Sequence, residues 1–250
     1  MNEVGENGKS MSGSSGRFLY GFRDGFSFIC LNSAQSMQMI DSLFPDPDEL
    51  FHSARIFKPG TRTHGGQLHV GGIDCFLKRY NDRGLWYRFR HLFALSRARR
   101  TWRIAWAMLD AGIPVPEPLA CLEERRFRLL FRSYVLMRFA SGCMRLRDIW
   151  ADLVEREREE LLLRLAGIFA RMHRAGALHG DLKWDNILVA LHDPAKICLV
   201  DLDGSRFPGR LDPRLAEKDL QRFLRDLKFH GSSGMQETFI NTWRQEVLNP

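Results

Sequence analysis

The sequence predicts an α+β fold in two parts, a β-rich front and a short, mainly helical back half. Three observations predict it. Short apolar runs broken by glycines fill residues 54–80, the pattern of strands joined by hairpin turns. Helical spacing takes over at residues 85–112 and again at 154–175. Two further apolar runs, Ile187 to Ala190 and Ile197 to Val200, make a small hairpin late in the chain.

In chain order, residues 1–16 are polar and rich in Gly and Ser, which predicts a disordered tail and gives no apolar run of a signal peptide. Residues 17–45 are mixed and aromatic and carry no clear period; Pro45-Asp46-Pro47-Asp48 then marks a turn. Three strands follow: Ala54 to Lys58, Gln67 to Val70 and Ile73 to Tyr80, with breaks at Pro59-Gly60-Thr61 and Gly71-Gly72. In the next helix Trp102, Ala105, Trp106 and Leu109 share a face, and Gly112 with Pro114 ends it. Pro114, Pro116 and Pro118 hold an extended stretch, and Leu129 to Phe139 contains two strand-like runs. The second helix presents Leu161, Leu165, Ile168 and Met172 as its buried stripe and closes at Gly176. His192-Asp193-Pro194 turns the hairpin, and residues 211–250 read as one or two helices. The expected organisation is a tail at 1–16, a front lobe at 17–136 and a back lobe at 137–250.

Composition bounds the partners. Hydrophobic residues make up 44%, enough for a core, and the net charge of +7 leaves two readings open, a plain basic surface or attraction to an anion. The five cysteines are scattered with no C-x-x-C pair, which argues against a zinc or redox motif and fits a reducing cytosol. No run of about 18 apolar residues occurs, so no spanning helix is expected and membrane contact would be peripheral.

The strongest chemical signal is His179-Gly180-Asp181-Leu182-Lys183-Trp184-Asp185-Asn186. Phosphoryl transfer needs a carboxylate to orient the acceptor hydroxyl and take its proton, and Asp181 suits that role. Lys183 suits neutralisation of charge on the transferred group. Asn186, five residues beyond Asp181, offers an amide oxygen for Mg²⁺. The segment resembles the H-x-D-x-K-x-x-N catalytic loop of protein kinases and their relatives. That resemblance implies a protein-kinase-like two-lobed fold, with ATP and Mg²⁺ as the nucleotide and metal.

Other residues fall into place beside it. Asp201 directly follows the run Ile197 to Val200, where kinases carry a second Mg²⁺ carboxylate; Asp203, followed by Gly204, is the second choice. Lys78, in Phe76-Leu77-Lys78-Arg79, matches the strand lysine that reaches the α- and β-phosphates, and period two puts Arg79 on the opposite face. Gly60 and Thr61 lie in the turn that would cover phosphates, although the G-x-G-x-x-G spacing is missing and Gly65-Gly66 is displaced. Met137 and Phe139 stand where a hinge would offer backbone groups to adenine. The glutamate that kinases usually place on the helix after the lysine strand is absent: between Lys78 and Val135 the acids are Asp82, Asp110, Glu117, Glu123 and Glu124. An inactive pseudokinase therefore stays as one alternative.

Only 49 residues follow Asp201, too few for an activation segment and a peptide-binding lobe, which favours a small acceptor. Ser96-Arg97-Ala98-Arg99-Arg100-Thr101-Trp102 and Ala111-Gly112-Ile113-Pro114-Val115-Pro116-Glu117-Pro118-Leu119-Ala120, together with H-G-D at His179-Gly180-Asp181, resemble the bacterial lipopolysaccharide core kinases of the Kdo and heptose kinase family. The resemblance implies transfer from ATP to a sugar hydroxyl of the core–lipid A acceptor, on the cytoplasmic face of the inner membrane. Arg79, Arg83, Arg88, Arg90, Arg97, Arg99, Arg100 and Arg103, interleaved with Trp86, Tyr87, Phe89 and Phe93, agree with docking on an anionic inner-membrane surface, or form a solvated basic face. No nucleic-acid motif accompanies that charge. Another kinase-fold phosphotransferase, acting on a soluble small molecule or a protein, is the second alternative. His52, His64, His69, His91 and His173 lack metal-ligand spacing.

Overall fold

The computed structural model describes residues 13–58, 60–82, 84–90, 94–190, 193–209, 212–232 and 234–248. Pro59, Arg83, His91, Phe93 and His192 lie outside these residues, as do the first twelve residues of the expected tail and the side chains of Tyr87, Phe89 and Arg90. The chain divides into two compact units. One comprises residues up to Arg103 with Glu117–Phe139, the other Ile104–Pro116 with residues from Ala140 on. This differs from the sequence-based boundaries: the division follows Phe139, and Ile104–Pro116 goes with the second unit.

The first unit is built on one antiparallel sheet. Its strands are β1 (Gly13–Ser15), β2 (Phe18–Arg23), β3 (Phe26–Leu31), β4 (Arg55–Lys58), β5 (Thr63–Val70), β6 (Ile73–Tyr80), β7 (Pro118–Arg126) and β8 (Leu129–Arg138). The spatial order is β1-β2-β3-β7-β8-β6-β5-β4. Residues 17–45, without assignment in the sequence, supply β2, β3 and the helix α1 (Ala34–Ser42), and Gly13–Ser15 pairs with β2, so the tail is strand from Gly13. The reason is register: Phe26, Phe28 and Cys30 share one face of β3 and join Met39, Ile40 and Leu43 in one core with Leu77, Leu122 and Leu136, while Ile29 is buried on the other face. A large apolar side chain fully buried in this way stabilises by roughly 1.5–3 kcal/mol. Ser33 starts α1 by accepting the Ser36 N–H at 3.1 Å.

The strand at Gln67 to Val70 extends back to Thr63, and Gly65 and Gly66 lie inside it. A Cβ at Gly65 would stand 2.7 Å from the Phe76 ring, so this glycine serves close packing within the sheet rather than a turn. The helix expected over 85–112 is two: α2 (Leu85–Arg90) and α3 (Arg97–Asp110). Ser96 separates them, its hydroxyl capping α3 by accepting the Arg99 N–H at 3.0 Å. Between β7 and β8, Phe127 and Arg128 both have positive φ, 49° and 68°, the geometry of a two-residue hairpin turn, here made without glycine.

The Asp46–Asp48 turn is tied to the sheet by charge. Asp48 accepts from Arg79 and Arg132, each at 2.6 Å, and from the Tyr134 hydroxyl at 2.9 Å. Burial works to raise the Asp48 carboxyl, but the hydrogen bonds from Arg79, Tyr134 and Arg132 outweigh it and hold the group below the usual carboxylate range.

The second unit contains β9 (Cys143–Arg145), α4 (Leu146–Ile149), α5 (Glu155–Arg174), β10 (Ile187–Ala190), β11 (Asp193–Leu199), α6 (Pro213–His230) and α7 (Met235–Leu248). Its small sheet runs β11-β10-β9. The buried face of α5 passes through Leu161, Leu165, Phe169 and Met172; Ile168, expected there, is only half-buried. Phe169 is fully buried against Phe223 of α6 and Phe239 of α7, with ring centroids 5.2 and 6.0 Å away. The five cysteines are free thiols. Among the described residues no helix is long and apolar enough to cross a membrane.

Candidate active site

The catalytic-loop segment is folded by a helix that follows it in sequence. His179 is fully buried. Its N–H and that of Gly180 both donate to the carboxylate of Asp219 on α6, at 2.8 and 2.6 Å. The Trp184 N–H donates to Asp226 at 3.0 Å, seven residues further along the same helix. Asp219, Arg222 and Asp226 thus stand at helical spacing on one face, and that face meets the loop. Asp219 also bonds His173 Nε2 at 3.3 Å, and His173 Nδ1 accepts from Trp243 at 3.0 Å, so the proton toward Asp219 is on Nε2. Burial raises the Asp219 carboxyl, but the bonds from His173, His179 and Gly180 together pull it below the ordinary range.

His179 is the pivot of the loop. Its Nε2 donates to the Val200 carbonyl at 3.1 Å, its Nδ1 accepts the Asp181 N–H at 3.3 Å, and its own carbonyl accepts from Ser205 at 2.9 Å. Burial lowers its pKa and keeps it neutral, which this pattern of one donor and one acceptor nitrogen requires.

Asp181 is brought together with Lys183 and Asn186 as the sequence predicts. Lys183 Nζ lies 3.3 Å from Asp181 Oδ2. The Asn186 amide nitrogen donates to both the Asp181 carbonyl, at 2.9 Å, and Oδ2, at 3.1 Å. Oδ1 takes an ion pair from Arg222. Burial raises the Asp181 carboxyl, but Arg222 and Lys183 outweigh it, so the group is ionised at neutral pH. Asp185, the other carboxylate of the loop, turns to Arg147 at 3.1 Å instead.

The antiparallel register of β10 and β11 pairs Ile187 with Leu199, and the Val200 N–H donates to the Asn186 carbonyl at 2.9 Å. Asn186 and Asp201 therefore reach the same end of one hairpin. Asp201 holds a left-handed backbone, φ 64° and ψ 61°, a conformation that costs a non-glycine residue roughly 1–3 kcal/mol and is concentrated at functional sites. Asp181 and Asp201 both act electrostatically on His179. Asp203 sits one step on, in the short 3-10 turn Leu202–Gly204. As a donor set, Asp201 carboxylate oxygens and the Asn186 amide oxygen, whose nitrogen is committed to Asp181, are hard ligands that suit Mg²⁺. Among the described residues there is no group of three or more His, Cys, Asp or Glu that could hold a metal ion.

In the first unit, β8, β6, β5 and β4 are consecutive in the sheet, so Met137, Lys78 and the Gly60–Thr61 turn lie on adjacent strands and their connection. Lys78 pairs with Val135 on one side and Gly65 on the other, and its Nζ stands 5.6 Å from the Tyr80 ring centre. Arg79 turns the other way, to Asp48 and Asn81. Asn81 pins the turn, its side chain donating to the Thr61 carbonyl at 2.8 Å and its N–H to that of Arg62 at 3.3 Å. A Cβ at Gly60 would lie 2.5 Å from the Thr63 carbonyl oxygen, so the turn requires glycine there. Met137 is buried; Phe139 donates its N–H to the Asp74 carbonyl at 2.9 Å and stacks on Phe57 with centroids 6.0 Å apart. The Phe139 N–H is thus committed within the first unit. No glutamate stands on α3, whose one acid is Asp110 at its end; Glu123 and Glu124 lie on β7, paired with Arg125, Arg126 and Arg132.

The model of the lipopolysaccharide kinase (Kdo/WaaP) family matches residues 58–244. The chain belongs to that family. Among relatives, it is 24% identical over 212 residues to a 3-deoxy-D-manno-octulosonic acid kinase of Vibrio parahaemolyticus, covering 79% of this chain and 86% of that one. It is 29% identical over 140 residues to a kinase of the same description from Actinobacillus succinogenes, covering 53% and 57%. A solved structure, WaaP in complex with acyl carrier protein, has the same fold, with a TM-score of 0.64 at 18% identity over 82% of this chain and 86% of that one. As a member of the lipopolysaccharide kinase family, the chain is a phosphotransferase that uses ATP and acts on a sugar hydroxyl of the lipopolysaccharide core.

The sequence reading missed Asp219, Arg222 and Asp226. A signal existed: three charged residues at helical spacing flank Leu220, Phe223 and Leu227, which are buried, so this charged line borders the core face of α6.

Proposed function

We propose that the chain transfers the γ-phosphate of ATP to a hydroxyl of 3-deoxy-D-manno-octulosonic acid (Kdo) in the lipopolysaccharide core. The acceptor oxygen attacks the γ-phosphorus, the bond to the β–γ bridging oxygen breaks, ADP departs with the electron pair, and the hydroxyl proton passes to Asp181. The observation that carries this is the Asp181 carboxylate, ionised, oriented by Lys183 and Asn186 of its own loop and paired with Arg222 of α6. Lys183 neutralises charge on the moving phosphoryl group. Asn186 and Asp201 would hold Mg²⁺, which when bound offsets phosphate charge. Lys78 would contact the α- and β-phosphates, the Gly60–Thr61 turn would cover them, and Met137 and Phe139 would flank adenine. The choice of Kdo rests on the two relatives described by that acid.

The same reading has the enzyme working peripherally at the cytoplasmic face of the inner membrane, where its glycolipid acceptor presents anionic groups. Leu85 and Trp86 of α2 support this, being 66% and 82% exposed beside Arg88. Binding to anionic vesicles should fall steeply between low and high salt.

The test is transfer of labelled phosphate from ATP to Kdo-bearing lipid A, with Asp181→Asn as control. Wild type labels the glycolipid; the variant loses turnover by roughly 100- to 10,000-fold while nucleotide binding persists. Unchanged turnover in the variant would remove Asp181 from the chemistry, and labelling of a soluble acceptor alone would favour the broader phosphotransferase reading.

A further inference from the structure

Three side chains of α6 face the catalytic loop, and they do two different jobs. Asp219 and Asp226 accept backbone N–H groups and hold the loop in shape. Arg222, between them, pairs with the Asp181 carboxylate itself and, among the described residues, with no backbone group. The side chain of Asp219 is 3% exposed, whereas that of Arg222 is 54% exposed, so its guanidinium borders solvent with donors to spare.

That ion pair crowds the oxygen the reaction needs. Oδ2 of Asp181 takes both Lys183 and Asn186, whereas Oδ1 takes Arg222 and keeps a second lone pair beside the guanidinium. An acceptor hydroxyl must reach one of these oxygens to hand over its proton. Lys183 and Asn186 belong to the loop and move with Asp181; Arg222 comes from another element and is the partner able to leave. A half-exposed ion pair is weak and the guanidinium can leave it for water, but an incoming anion would hold it away from Oδ1. The acceptor named above is an acid and carries a carboxylate of its own.

Resting on that reading of the acceptor, we infer that Arg222 is a specificity-determining residue: it releases Oδ1 of Asp181 by binding the carboxylate of the incoming acidic sugar. The exchange conserves one arginine–carboxylate pair, so an anionic acceptor clears Oδ1 at little cost. A neutral sugar offers the guanidinium no carboxylate and leaves it competing for Oδ1, so the device favours acidic over neutral acceptors. Arginine suits it because its planar fork can hold one carboxylate with two donors while another approaches.

The experiment compares two acceptors, Kdo-bearing lipid A and the same glycolipid with the Kdo carboxyl reduced to the alcohol, in wild type, Arg222→Gln and Arg222→Lys. Wild type should favour the acid in kcat/KM by roughly 10- to 100-fold, the worth of one charge-assisted pair. Arg222→Gln should lose most of that factor on the acid, chiefly through acceptor KM, lose little or gain on the alcohol, and keep its KM for ATP. Arg222→Lys, which keeps the charge without the fork, should fall between; it carries the test alone if melting shows that the glutamine variant does not fold. Discrimination unchanged in either folded variant overturns the inference. So does an equal loss on both acceptors with a raised KM for ATP, which would make Arg222 a phosphate ligand. A wild type that labels neither acceptor overturns the Kdo reading and this inference with it, whereas an active wild type with undiminished discrimination in the variants overturns the inference alone.

Discussion

A β-carbon at Gly180 would lie 2.5 Å from the carbonyl oxygen of Gly204, and the Gly180 backbone is left-handed at φ 80°. The two glycines bring the catalytic loop and the turn after β11 into backbone contact. This explains why the loop reads H-G-D here, where many kinases have H-R-D: no side chain fits. Gly180→Ala should destabilise the protein by about 1–2 kcal/mol through the backbone alone, with the clash in addition. Gly180→Arg, which restores the commoner motif, should be worse, not better. Thermal melts and turnover check both, and an active Gly180→Arg protein of wild-type stability would contradict the geometry.

Asp219 accepts three hydrogen bonds with its side chain 3% exposed, from His173 and from the N–H groups of His179 and Gly180. Asp219→Ala should cost about 3–5 kcal/mol, because buried donors are left unpaired. Asp219→Asn keeps one acceptor oxygen but turns an NH₂ group toward a donor, and should fall between alanine and wild type. Urea denaturation of the three proteins gives the order.

Asp48 makes the first unit acid-sensitive. Its carboxyl titrates below the usual range in the fold, so its contribution is in place above the unfolded value near ~3.9 and is lost as pH falls through the lower folded value. Stability should therefore be insensitive to this group between about pH 5 and 8 and decline in the acid window beneath about pH 4. Asp48→Asn should lower the neutral plateau and flatten that acid decline. A midpoint-against-pH series for the two proteins measures it; parallel curves would show that Arg79 and Arg132 do not depend on this carboxylate.

Asp201 and Asp203 separate by backbone. Asp201 has a left-handed backbone and follows Val200 just past the end of β11, whereas Asp203 lies in the 3-10 turn beyond it. Asp201→Ala should lower turnover by roughly 100-fold or more and raise the Mg²⁺ concentration needed for half-maximal rate, while Asp203→Ala stays within about tenfold of wild type. The reverse order in a magnesium titration would assign the metal to Asp203.

Much of this protein could be read from its residues in order. The H-G-D-x-K-x-x-N segment is local in sequence, so Asp181, Lys183 and Asn186 were visible together and are together in the fold. The strands β4 to β6, the helix α5 and the β10–β11 hairpin announce themselves because their apolar spacing is itself local. The first three strands did not, since the aromatic run at 17–31 acquires a period only once β3 is laid against β7, nearly a hundred residues away. The helix expected over 85–112 shows the opposite failure: helical spacing continues through a region that a capping serine divides. What only the tertiary structure decided is the surroundings of the base. Arg222 is 41 residues from Asp181 in sequence, and although its spacing with Asp219 and Asp226 puts it beside the core face of α6, nothing local says which loop that line meets. A helix packed by Phe223 against Phe169 and Phe239 delivers it, because side chains at helical spacing must face whatever their buried neighbours bring them to. The chemistry could be read along the chain; the charge that restrains it is set by packing.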